Sequence, residues 1–189
     1  MNIREFLVGR RRVGRRLVAT VVTLMTIVVS ASPSGAVATF GFTCANPKAS
    51  LPAGVKQVVS ELMVKYRDEG VAKWGDRAMS LRLRRSDGPT YFVPLSCGAT
   101  GNCTWAMVAS SPARSIGVVI GALIFVKAGG SEWPAINAFT TSGAGEGTIE
   151  TLEFSSDGYH PKKSVPVEPG LVGTLGRCLD NQSCCPPAT

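Results

Sequence analysis

The sequence predicts an α+β domain: an N-terminal amphipathic helix packed on a curved, mainly antiparallel sheet of about six strands, stapled by disulfides. Three observations point there. A 3.6-residue apolar period runs from Val55 to Tyr66. Downstream of Trp74 the period changes to two, with turn residues between the alternating runs. Six cysteines, an even count, all follow residue 43. The alternative assembly of the same elements is a small β-sandwich or partial barrel with the helix at one end.

Residues 1–38 read as a cleavable export signal. "MNIREFLVGRRRVGRR" carries six arginines and one glutamate, and the 13-residue run "LVATVVTLMTIVV" follows. A small-x-small exit, Ala36-Val37-Ala38, completes the secretory pattern. The apolar run is shorter than the roughly 20 residues of a membrane span, so stable insertion after signal removal is not expected. Arg15-Arg16 makes the twin-arginine route the minor alternative.

The leader also accounts for the charge. The chain holds 20 Lys and Arg against 13 Asp and Glu, a net +7. Taking off six arginines and Glu5 leaves 14 basic and 12 acidic groups, a net +2. The basic isoelectric point of 9.3 therefore belongs to the export signal, and nucleic acid is not an expected partner. Residues 39–189 are long enough for one domain with a real core, burying roughly 70% of the unfolded surface.

Each element has its own justification. Val55, Val58, Val59, Leu62, Met63 and Tyr66 fall on one helical face, Ser50 and Pro52 mark its start, and Gly70 supplies a C-cap. Met79, Leu81 and Leu83 alternate with Ser80, Arg82 and Arg84, a half-buried strand whose arginines face water. "SDGP" turns into a strand over 90–96, where Pro94 favours an edge or a bulge. "CTWAMVAS" is the next strand. "IGVVIGALIFVKAGG" reads as the central buried strand, bent at Gly121. "INAFTT" and "TIETLEFSS" form a hairpin around "SGAGEG", which lacks the lysine and following helix of a phosphate loop. A turn at Asp157-Gly158 leads to a short last strand in "SVPVEPG", and an irregular cysteine-containing tail occupies about 170–189.

The cysteines carry structure. Cys97 and Cys103 enclose five residues, as do Cys178 and Cys184. Zinc would want pairs two to four residues apart and usually histidine, and the chain has one histidine, His160. No metal and no other cofactor is expected. Cys97–Cys103 closes a glycine-rich reversal between two strands. A Cys184–Cys185 bond between neighbours is strained, so Cys44 pairs with a tail cysteine and the other two pair together. Cys178–Cys184 with Cys44–Cys185 is the favoured map. In the chain-entropy model the short loop is worth about 2 kcal/mol and the long one about 5 kcal/mol.

Few residues offer chemistry. His160, with Asp157 three residues before it, is the candidate general base, but no G-x-S-x-G elbow supplies a nucleophile. Glu150 and Glu153, three apart on a strand, face opposite sides and cannot share a glycosidase site. Trp133, in the loop "GGSEWPAIN", and Tyr159 are the candidate partner-contacting aromatics.

The runs "SCGATGNCTW" and "FSSDGYHP" together resemble a pattern in small exported bacterial proteins of unassigned function. These carry a Cys-Gly-x-x-Gly-x-Cys hairpin, a nearby aromatic and a Phe-x-x-Asp-Gly-x-Tyr-like strand end. Phe154, Asp157, Gly158 and Tyr159 match the second element, with one residue fewer between the glycine and the tyrosine. The resemblance spans about residues 90–165, implies a β-rich periplasmic or secreted domain, and transfers no catalytic residue. The expectation is thus a non-enzymatic binding or inhibitor-type module whose partner is another envelope or extracellular protein. The rivals are a small exported hydrolase using His160 and a subunit of an envelope assembly.

Overall fold

The computed structural model describes residues 37–45, 50–66, 77–142, 146–168 and 170. Among them are one α-helix, α1 (Ala53–Lys65), and nine strands. The strands are β1 (Val37–Gly41), β2 (Met79–Leu81), β3 (Thr90–Cys97), β4 (Cys103–Ser110), β5 (Ala113–Gly121), β6 (Leu123–Lys127), β7 (Ile136–Thr141), β8 (Gly147–Ser155) and β9 (Gly158–Pro166). They form two antiparallel sheets, ordered β1-β6-β7-β8-β9 and β2-β3-β4-β5.

This corrects the α+β expectation of one six-stranded sheet under a helix. The fold is mainly β, and two segments account for the difference. The apolar run taken for one central strand is two, β5 and β6, with Ala122 alone between them. The chain does bend at Gly121, but the bend carries it from the four-stranded sheet into the five-stranded one. The second segment is β1, which begins at Val37 inside the stretch assigned to the export signal and pairs with β6. Five residues, Val-Ala-Thr-Phe-Gly, carry little strand signal beside a leader's composition.

One shared core joins the sheets. Phe92 of β3 and Cys103, Trp105 and Met107 of β4 face Phe40, Ile124, Val126, Ile136, Ala138 and Leu152 of the other sheet. Phe40 meets Phe92 and Trp105 edge-on, at ring distances of 5.0 and 5.8 Å, the arrangement aromatic quadrupoles prefer. The Trp105 Nε1–H donates to the Gly121 carbonyl at 3.0 Å, which satisfies the one polar atom of a fully buried indole at the crossing point.

Alternation along β3 and β4 sends the intervening side chains the other way. Val93, Leu95, Ala106 and Val108 pack against Leu51, Val55 and Val59, so α1 covers the outer face of the four-stranded sheet. Val55 and Val59 of the expected helical face are buried, Val58, Leu62 and Met63 lie at its margin, and Tyr66 is exposed. The helix stops at Lys65 with Tyr66 as its C-cap, and Gly70 lies outside the described residues. Pro94 marks a bulge, as its missing N–H suggested: the β3–β4 register shifts between Pro94 and Ser96. The last strand is longer than "SVPVEPG" alone. It starts at Gly158, after a turn centred on Ser156-Asp157, one residue earlier than expected.

Gly158 is spent on packing instead of on that turn. A Cβ there would lie 2.8 Å from the Ile116 carbonyl oxygen, where β9 passes β5. Gly117 answers from the other side: its φ of +145° suits glycine, and a Cβ would meet Met107 Cε at 2.8 Å and Tyr159 Cβ at 3.1 Å. β9 passes close over β5 at this pair.

Candidate functional site

Three places hold the residues singled out by type. The first is the β8–β9 tip. His160 Nε2 stands 3.9 Å from Asp157 Oδ1, longer than a hydrogen bond, with side chains 60% and 88% exposed. Open water on both groups leaves neither the desolvation nor the fixed geometry that general-base catalysis uses. His160 pairs across the ladder with Glu153, whose carboxylate is taken by Lys162 at 3.3 Å. Glu150 pairs with Ser164 on the opposite face, so the two glutamates are separated as their spacing required.

The second place gathers Trp133 and Tyr159, 26 positions apart in the chain. Trp133 stacks on Phe154 at 4.2 Å, and Tyr159 meets both rings edge-on. The Arg84 guanidinium lies over the Trp133 ring at 5.4 Å, within cation–π range. Tyr159 is buried and its hydroxyl donates to the Pro134 carbonyl at 2.9 Å. Burial pushes this phenol well above its ordinary range. The cluster ties the β6–β7 loop to the last hairpin. Its half-buried members, Trp133 and Phe154, still present surface.

The third place is the turn between β3 and β4. Cys97 and Cys103 form the expected disulfide, with Cα atoms 4.0 Å apart, and are directly paired across the ladder. Gly101, at φ +80°, completes the reversal between them. Asn102 then reaches the other sheet. Its Nδ2 donates to the Thr141 carbonyl at 2.7 Å, and its Oδ1 accepts the Thr141 N–H at 3.1 Å. A side-chain amide thus pairs with the end of β7 much as a strand would. Cys44 is also disulfide-bonded, while the tail cysteines 178, 184 and 185, and so the rest of the expected map, lie outside the described residues.

Beside Asn102 opens a cleft of about 530 Å³, within the size range of small-molecule sites. Thr140 and Thr141 of β7 and Thr148 of β8 line it with Ser142, Glu146 and Gly147, and Pro166 and Val167 close one side. The Thr140 and Thr148 hydroxyls share a hydrogen bond of 2.7 Å, and the hairpin end is closed by Ser142 N–H donating to Glu146 O at 3.1 Å. Residues 143–145 of the glycine-rich tip lie outside the described residues.

Sequence reasoning did not find this cleft. Its threonines read as ordinary strand residues, and Asn102 carries no assigned role in the sequence. The available signal was two threonines ending one strand opposite one beginning the next, a cross-strand hydroxyl pair. Neither His160, Asp157, Trp133 nor Tyr159 is among its lining residues. Among the described residues no three His, Cys, Asp or Glu side chains gather as a metal site would require, and no helix is long and apolar enough to cross a membrane. No known protein family, curated protein or solved structure matches this chain.

Proposed function

We propose that the chain is an exported, disulfide-stabilised binding module of the periplasm or extracellular space, without catalysis of its own. The observation that carries this reading is the hydroxyl-lined cleft beside the Cys97–Cys103 turn. Its walls are two hairpins, one stapled covalently and both held to each other through Asn102, so a ligand meets a pre-formed surface and ordering costs little. Among the described residues the lining pairs no acid with a base. The lone histidine stands in open solvent elsewhere. Export is supported by the leader pattern and by disulfide bonding, which oxidising compartments favour. The partner in this reading is an envelope or extracellular component.

Two measurements test it. Mass spectrometry of protein from the exported fraction is expected to give an N-terminus near Thr39, and cleavage there leaves Phe40 of β1 in the core. Recovery of the chain with residues 1–38 attached and only in the cytoplasm would overturn export. Amide chemical-shift mapping of the processed protein against fractionated envelope components is expected to move Thr140, Thr148 and Val167. A hydrolytic activity lost in a folded His160→Ala variant would establish the rival reading.

A further inference from the structure

The geometry points to a ligand class for this cleft, on the reading that the cleft is the binding seat: we propose that it takes an uncharged, hydroxyl-rich molecule, a short saccharide. The argument starts from the donor inventory. Each threonine hydroxyl has one donor and two lone pairs. The bond between Thr140 and Thr148 consumes one donor and one lone pair, which leaves one donor and three lone pairs on two adjacent oxygens. A ligand that satisfies them must both donate and accept over a short span, as neighbouring sugar hydroxyls do. An ammonium group only donates, and an ionised carboxylate or fully ionised phosphate only accepts.

Charge narrows the class in the same direction. Among the described residues no lysine, arginine or histidine lines the cleft, and the one ionisable side chain there is the Glu146 carboxylate. An anionic ligand would lose its hydration against a like charge with no counter-charge to replace it. Pro166 and Val167 supply an apolar patch beside the hydroxyls. A pyranose presents both features at once, with C–H groups on one face and hydroxyls around its rim. Asn102 spends its amide on the Thr141 backbone and, through Nδ2, on Thr100 Oγ1 at 2.9 Å, so it shapes the wall instead of reading the ligand.

The experiment is an amide chemical-shift titration of the processed protein with neutral cello-, malto- and chitotetraose, and with anionic tetragalacturonate. At least one neutral tetramer is expected to give saturable shifts at Thr140, Thr148 and Val167, with galacturonate at least tenfold weaker. The isosteric Thr140→Val/Thr148→Val variant removes both hydroxyls while keeping β-branched strand residues. It is expected to weaken binding about tenfold or more with an unchanged melting temperature. His160→Ala is expected to bind as the unsubstituted chain does. Galacturonate binding as tightly as the best neutral tetramer, or no saturable cleft shift with any neutral tetramer, overturns the proposal. Cleft shifts from another ligand class would overturn the saccharide assignment and leave the binding seat standing. A bound partner whose shifts fall wholly outside the cleft would overturn both.

Discussion

Tyr159 shows how one side chain can hold two segments. It is packed under Trp133 and Phe154, with its hydroxyl donated to the Pro134 carbonyl. Tyr159→Phe keeps the ring and deletes that bond, and is expected to cost about 1 kcal/mol in urea unfolding at neutral pH. The same burial sets a pH dependence. The folded phenol is raised above its ordinary pKa of 10.0, so folding favours the protonated form. The unfolded chain binds fewer protons above about pH 10, so this contribution is complete below pH 10 and is lost as pH rises further. Stability of the unsubstituted protein should therefore fall more steeply above pH 10 than that of Tyr159→Phe. Parallel alkaline profiles for the two proteins would count against a buried, protonated Tyr159.

At the scale of elements, the tight crossing of β9 over β5 carries a specific expectation. Gly158→Ala would place a methyl group 2.8 Å from the backbone oxygen of Ile116, which cannot swing aside as a side chain can. A loss of about 1–3 kcal/mol is expected, read as a lower urea midpoint. This glycine also shows what the sequence made legible. "SDGYHP" announced a hairpin, and a hairpin is there, but no local pattern distinguishes a glycine needed for a turn from one needed where another strand passes. The helix was legible because Val55, Val59 and their neighbours repeat at 3.6 residues whatever lies beneath them. The division of β5 from β6 was not, because an unbroken apolar run has no polar-apolar period to betray which sheet each half joins. The cleft was hidden for a related reason: Asn102, Thr140 and Thr148 become neighbours only through pairing between β7 and β8 and the reach of Asn102 across sheets.

For the whole molecule, the disulfide reinforces a core that exists without it. Cys97→Ala/Cys103→Ala is expected to lower stability by about 2 kcal/mol, the entropy of a short closed loop, while the near-ultraviolet signal of buried Trp105 persists. A variant lacking that signal would mean that the staple is a condition of folding. The passage of the chain from β5 to β6 has a different kind of consequence. Ala122 is the only residue between the two strands, and its N–H is held by the Phe139 carbonyl at 2.7 Å. With so little slack, opening one sheet pulls a strand out of the other, so the molecule has no line along which half of it can melt. Native-state hydrogen exchange in rising urea should bring the slowest amides of β4 and β7 onto a single isotherm. Two isotherms would reveal independent halves. One isotherm would mean that the walls of the cleft, drawn from both sheets, are as durable as the fold itself.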